Sequence, residues 1–355
     1  MPNTDLFIDS NKIDKVKFGW IENVCVIDSM HAFLQYLLLV SESVVRNTFF
    51  FWGEGISSDI KKKFEGHYAD MDKKKKEYNW IKFLYKYPFL LRNDIQYWGH
   101  DHLPWSKYII RKHSFFLLED GLMNYNSYIL RSRAPLKRRL LALWEGPLSL
   151  HDIPYSGYEQ NCKKIYLTGI LDTGEVYTST KLMVKSFKVL WDECDDDKRS
   201  FINHIFDFDE KVCEELRKRK KVLLTQPFSE DGFLTEKEKI SVYSKVIDVI
   251  GGEDVVIKRH PRETTDYHSY FPNVMCFDKA IPMQLIMLNG IRFEEAYTIF
   301  SSAVFGFPYK IRIGFIGSQI SSKLLNRFPS QTYNDYHCTD DNMEKIDIKL
   351  ENVCD

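Results

Sequence analysis

The chain has no G-x-G-x-x-G turn and no Walker phosphate loop, which counts against NAD and P-loop NTPase chemistry. It has no apolar run long enough to span a bilayer. The longest, Ala32 to Val40, falls far short of the ~20 residues a spanning helix needs. The N-terminus is polar and acidic, unlike a signal peptide. The seven cysteines are scattered, odd in number and without a C-x-x-C pair. That pattern argues for reduced thiols in a cytosolic protein and against a disulfide framework or a zinc site. A formal net charge of −1 gives no global field of the kind nucleic-acid binders carry. No internal repeat or low-complexity segment stands out.

What is there is core-forming. The 355 residues, 44% hydrophobic and 15% aromatic, suffice for two domains with real interiors. Basic residues cluster at Lys61 to Lys63, Lys73 to Lys76, Arg131 to Arg139 and Arg217 to Lys221. Each reads as a solvated helix face or as a contact with an anionic membrane surface or substrate.

Apolar segments alternate with helical patterns along the chain. Strands are expected at Asn23 to Asp28, Thr48 to Trp52, Ile95 to Trp98 and Ser114 to Leu118. Helices are expected at Met30 to Glu42, Asp59 to Trp80 and, as a basic amphipathic segment, Pro135 to Trp144. Asp192 to Arg199 is an acidic patch at the domain junction. Its Asp195-Asp196-Asp197 run has no preceding strand and reads as an acidic helix start rather than a metal-binding D-x-D. The second half is cleaner. Val222 to Gln226 is a strand, and Thr235-x-x-Glu238 is a capping box. It opens a helix with Ile240, Tyr243, Ile247 and Ile250 on its apolar face, stopped by Gly251-Gly252. Further strands follow at Val255 to Lys258, Val274 to Phe277 and Tyr297 to Phe300, with a helix from Pro282 through Leu288. Such alternation predicts parallel, doubly wound sheets in two Rossmann-like halves facing a central cleft. The boundaries expected are 1–190 for the first domain, 191–217 for a helical connection, 218–330 for the second domain and 331–355 for a tail.

Open α/β sheets bind ligands beyond the carboxyl ends of their strands, and four clusters lie there. Glu119-Asp120-Gly121 follows a buried strand. Two such close carboxylates cannot both ionise freely, so one is expected to hold a raised pKa and serve as a base. Thr225-Gln226-Pro227-Phe228-Ser229-Glu230-Asp231-Gly232 repeats the strand-to-acidic-turn pattern. Val255-Val256-Ile257-Lys258-Arg259-His260-Pro261-Arg262-Glu263 ends a strand in a histidine among cations, suited to an anionic leaving group. With an ordinary pKa near 6.5, His260 is expected to deliver a proton to a phosphate. Ser301-Ser302, with backbone N–H groups at a helix start, make a small anion cradle.

The E-D-G, H-P and S-S motifs in this order resemble those of bacterial sialyltransferases. The phrases Leu223-Leu224-Thr225-Gln226-Pro227, Ile257 to Glu263 and Thr298-Ile299-Phe300-Ser301-Ser302-Ala303 look most like glycosyltransferase family 52. Trp98-Gly99-His100-Asp101-His102 fits the same context. The family includes lipooligosaccharide and capsule enzymes. The resemblance implies a GT-B fold, a CMP-sialic acid donor, inversion at the anomeric carbon and no metal or other cofactor. Carried over by position, His260 is the general acid or phosphate stabiliser, and Ser301 and Ser302 hold the CMP phosphate. Gly121, Thr225, Pro227, Lys258, Pro261 and Arg262 line the donor site. The base is Glu119 or Asp120, or else Glu230 or Asp231. Where relatives have I-P-x-E, with the glutamate toward the ribose, this chain has Ile281-Pro282-Met283-Gln284, and a glutamine still hydrogen-bonds hydroxyls.

The resulting expectation is a cytoplasmic enzyme acting on an oligosaccharide or lipid-linked glycan, with terminal galactose as acceptor. Contact with the inner face of the cell membrane and homodimer formation are both compatible with the sequence, and no nucleic-acid partner is expected. The rival readings are a GT-B transferase using another nonulosonic acid or a hexose nucleotide, and a non-catalytic polyanion or membrane-surface binder.

Overall fold

Apolar and aromatic runs set the strands. Asn23–Ile27 (β1) and Thr48–Trp52 (β2) are buried at every position, as parallel strands covered on both faces must be. The computed structural model describes residues 18–71, 80–103, 105–110, 113–125, 161–170, 181–328 and 343–346. The predicted helix over 135–144 and the lysines at 73–76 lie outside them. The chain divides into two compact units, one drawn mainly from residues up to Ser186 and the other from Phe187 onward.

The first unit adds Tyr68–Asp70 (β3), Gln96–Gly99 (β4), Phe115–Leu118 (β5), Cys162–Leu167 (β6) and Leu182–Val184 (β7) to a seven-stranded, all-parallel sheet ordered β3-β2-β1-β4-β5-β6-β7. Its interior is aromatic. Phe33 of the helix Met30–Leu39 meets Phe50, Trp52 and Phe64 edge-on at 5.5–5.8 Å, a favoured ring geometry. The helix expected over 59–80 is corrected: it ends at Lys63, and Tyr68–Asp70 leaves it to become the edge strand beside β2. Pairing of Phe50–Trp52 with 68–70 outweighs the helical preference of the lysine run.

The second unit holds Lys221–Leu224 (β8), Val255–Lys258 (β9), Met275–Phe277 (β10), Glu295–Thr298 (β11), Ile311–Phe315 (β12) and Met343–Lys345 (β13), again all parallel, ordered β10-β9-β8-β11-β12-β13. The strand expected at 297–300 is shifted: pairing ends at Thr298, leaving Ile299 and Phe300 to turn toward Ser301. In both sheets the first strand has the second on one side and the fourth on the other. That reversal of winding is the switch point where doubly wound sheets bind ligands.

Asp195 caps the helix Asp196–Ile205 by accepting from Lys198 N at 2.8 Å, as an acidic helix start should. The Thr235–Glu238 capping box is complete: Thr235 Oγ1 accepts from Glu238 N, and Glu238 accepts from Thr235 N at 2.8 Å. It opens the helix Glu236–Ile250, which buries Val242, Tyr243, Val246, Ile247 and Ile250, with Ile240 half-buried at the rim. Thr235→Ala should therefore lower stability by about 1 kcal/mol, read as a shift of the urea midpoint of the helical signal. An unchanged midpoint would show that the box contributes nothing.

Candidate active site

In the first unit, β4 and β5 run side by side, with Gly99 opposite Leu117. Gly99 adopts φ 121°, and a Cβ there would lie 1.9 Å from Val26 O, so only glycine lets the chain turn this closely over β1. His100 N then donates to Val26 O at 2.8 Å, and the imidazole is carried into the interior.

The carboxylates that follow β5 have different surroundings. Glu119 is fully buried. Its oxygens accept from Thr168 N and from the Tyr125 hydroxyl at 3.0 Å, and Thr168 Oγ1 lies 2.8 and 2.9 Å from them. His31 Nε2 is 3.1 Å away, and Glu119 N donates to Gln35 Oε1 at 2.8 Å. Glu119 thus ties β5 to the end of β6 and to the helix Met30–Leu39, with its acceptor sites taken.

Asp120 is partly exposed. Its Oδ2 lies 3.1 Å from His102 Nε2 and its Oδ1 3.9 Å from His100 Nε2, while Asp120 N donates to Asn124 Oδ1 at 2.5 Å. The expectation of a raised carboxyl pKa is corrected for this residue. Burial pushes it up, but the two histidines and the Ser29 hydroxyl outweigh burial and hold it well below the usual range. Beside it Gly121 takes φ 55° and starts the short turn Gly121–Tyr125.

In the second unit, Leu224 of β8 pairs with Lys258 of β9 and with Thr298 of β11. This register brings three of the clusters together at one edge: Thr225 onward, His260 onward and Ser301 onward. Side chains lock the edge. Gln226 Oε1 accepts from Phe300 N at 3.0 Å, and the Tyr243 hydroxyl accepts from Gln226 N at 2.7 Å. Buried Glu263 accepts from His260 N at 2.8 Å, from the Tyr267 hydroxyl at 2.6 Å and from Thr225 Oγ1. Burial raises the Glu263 pKa, with those bonds opposing.

The His260 side chain departs from expectation. Burial and the nearby Arg262 and Lys258 charges pull its pKa down from 6.5 to about 3. Arg262 N donates to Nδ1 at 3.2 Å, so the ring's own proton sits on Nε2. The free protein therefore presents a neutral imidazole with an Nε2–H donor rather than a ready imidazolium. Lys258, expected at the donor, turns Nζ to the carbonyls of Arg259 at 2.9 Å and Lys279 at 3.2 Å. Burial lowers its pKa to about 8.

The second carboxylate pair is also engaged. Glu230 accepts from buried Lys239 at 2.9 Å and from Thr264 N at 2.8 Å. Burial opposes these bonds but they win, and its pKa falls to about 2. Asp231 holds Arg262 through two bonds of 2.5 and 3.1 Å. Pro227 begins their turn, its carbonyl accepting from Asp231 N at 2.8 Å. Ser301 Oγ accepts from Ala303 N at 3.4 Å, opening a five-residue 3₁₀ turn, Ser302–Gly306, rather than an α-helix. So short a turn sums little dipole, leaving the Ser301 hydroxyl and local N–H groups as its polar features. Gln284 is buried beneath that turn: a Cβ on Gly306 would come within 3.1 Å of its Nε2.

Glu263, Lys239, Tyr243 and Gln226 position this edge; the sequence alone assigns none of them a site role, and Lys239 is not named from it at all. Glu263 had a signal, being the last residue of the H-P phrase. His31 and Thr168, which hold Glu119, had none.

Two parallel sheets with 3-2-1-4-5-6 winding match the GT-B fold, and solved structures of that fold agree. The α/β-galactoside α-2,3-sialyltransferase of Photobacterium phosphoreum superimposes with a TM-score of 0.53 at 13% identity, over 91% of this chain and 97% of that one. A 2,6-sialyltransferase from a Vibrionaceae Photobacterium species, solved with CMP and lactose, gives 0.53 at 11% identity over 82% and 71%. The GT-B domain of a Photobacterium damselae sialyltransferase gives 0.50 at 14% identity over 82% and 91%. Sequence narrows the class: the chain belongs to glycosyltransferase family 52, whose pattern matches residues 49–316. An uncharacterised protein of Haemophilus influenzae is 37% identical over 251 residues, 71% of this chain and 77% of its own length.

The contrast between neighbouring carboxylates is testable. Glu119→Ala strands several buried donors and should cost at least about 2 kcal/mol. Asp120→Asn, at a partly exposed site, should cost less than about 1 kcal/mol. Urea unfolding followed by circular dichroism measures both, and equal losses would show that the two positions are not distinct in kind.

Proposed function

We propose that the chain is an inverting sialyltransferase, moving sialic acid from CMP-sialic acid to a hydroxyl of a surface glycan, with terminal galactose as acceptor. One observation supports the reading: three in-register strand ends carry His260, with its Nε2–H donor, and the Ser301 turn on either side of the Thr225 loop. The complex of a similarly folded 2,6-sialyltransferase with CMP and lactose supports a CMP donor and a galactoside acceptor.

In this reading Asp120 takes the proton of the acceptor hydroxyl. It is partly exposed and its carboxyl is held well below the usual range, whereas Glu119 is enclosed with its acceptor sites taken. The acceptor oxygen attacks the anomeric carbon, the bond from that carbon to the CMP phosphate breaks, and configuration inverts. His260 Nε2–H, the Ser301 hydroxyl and nearby backbone N–H groups receive the departing phosphate. A monophosphate leaves with less charge than a diphosphate, so these donors suffice without a metal. Gln284 lies beneath the Ser302–Gly306 turn, suited to a ribose hydroxyl. Thr225, Pro227 and Pro261 shape the wall, while Lys258 and Arg262 supply positive potential. Asp231, paired with Arg262, is the second candidate for the base, since donor binding at Arg262 would release it.

Asp120→Asn and His260→Ala should each lower kcat for CMP release from CMP-sialic acid by about 10²–10⁴-fold, with EDTA-treated wild type fully active. Near-wild-type turnover by His260→Ala would remove that residue from the mechanism. Loss in Asp231→Asn with retention in Asp120→Asn would move the base to Asp231. A diphosphate sugar turned over without competition from CMP would favour the rival donor.

The proton state of His260 gives a separate check. In the free protein its NMR signal should stay neutral down to about pH 3. CMP, by adding negative charge beside Nε2, should raise that midpoint. Folding disfavours the imidazolium, so this residue erodes stability as pH falls below its unfolded value near 6.5. A free-protein midpoint near 6.5, unmoved by CMP, would contradict the assignment.

A further inference from the structure

We propose that His100, His102 and Asp120 form a binding site for a divalent transition metal, zinc foremost, and that its occupancy stops transfer by taking Asp120. The inhibitory half rests on Asp120 being the base; the site itself does not.

The three side chains each offer one ligand atom, and these atoms all lie within 4.8 Å of one another. His102 Nε2 lies 3.1 Å from Asp120 Oδ2, close to the separation of about 3.3 Å between ligands on a tetrahedral zinc, and His100 Nε2 lies 3.9 Å from the other oxygen, Oδ1. The two imidazoles stand nearly parallel, 27° apart with centroids 5.3 Å from each other. Their carriers are stiff: the Gly99 turn fixes His100, and Asp120 is held through its N–H by Asn124.

The chemistry of the set selects the metal. Two imidazole nitrogens and one carboxylate suit zinc, cobalt or nickel, whereas magnesium and calcium prefer all-oxygen shells. Three protein ligands leave a fourth position open, as in zinc sites that accept water or a hydroxyl. His100 is fully buried, and its Nδ1 has no hydrogen-bond partner among the described residues. Its Nε2 is only 3.4 Å from Glu119 O, a weak contact that a metal bond would readily replace.

The test uses untagged full-length protein stripped with chelator. Cobalt should give the visible bands of a tetrahedral site at one metal per chain, and zinc should displace it. His102→Gln and Asp120→Asn should each weaken zinc affinity at least about tenfold, with circular dichroism confirming that both fold. In the wild type, CMP release should fall in proportion to zinc occupancy. Absence of the cobalt bands, or equal affinity in both variants and wild type, would overturn the site. Full occupancy with undiminished turnover would overturn the inhibitory half. Failure of the metal-free protein to turn over any CMP-sugar would instead remove the transferase reading and leave the spectroscopic result standing.

Discussion

The second unit's edge depends on one buried carboxylate. Glu263 sits where β8 and β9 finish, and it holds the backbone of His260, the hydroxyl of Thr225 and the phenol of Tyr267 at once. Lys239, buried in the helix Glu236–Ile250, lies 3.5 Å from it and also pairs with Glu230. A charge in that position is costly unless its lone pairs are satisfied, and here they are. The H-P turn, the acidic loop and the capped helix therefore cannot move independently. Arg262 completes the brace, holding Asp231 through its guanidinium and His260 Nδ1 through its own N–H.

The two units apply one architectural plan to opposite electrostatic ends. Each gathers its polar residues beyond the carboxyl ends of parallel strands at a switch point. In the first, histidines keep an aspartate ionised; in the second, cations keep a histidine neutral. Neither state follows from the residue type alone, because neighbours and burial decide it.

Much of this was legible in the residues. The strands at 23–27, 48–52 and 255–258, the capping box at Thr235 and the order of the strand-end motifs could be read directly, because apolar runs and turn chemistry are local signals. The short strands β3, β6, β7, β12 and β13 were missed: three- to six-residue segments carry little periodicity, and β3 follows a lysine run with helical propensity. Distinguishing Glu119 from Asp120 required Thr168 and His31, which are distant in sequence. Counting cysteines likewise gave no hint of the His100–His102–Asp120 cluster, since a nitrogen-and-carboxylate set assembled by two adjacent strands leaves no spacing rule to find. The His260 proton was misjudged because burial, invisible in the local residues, disfavours the imidazolium, and the cations that make the site attractive to phosphate also repel the proton.

The pairing of Met343–Lys345 with β12 bears on how the molecule is made. Strands β8 to β12 are all present once synthesis reaches Phe315, yet the outer hydrogen-bonding row of β12 stays open until residues 343–345 emerge. A nascent or shortened chain lacking them would display a bare apolar sheet margin, the sort of surface that recruits strands from other molecules. Integrity of the C-terminal segment would then govern yield and solubility without touching a single residue at the donor edge.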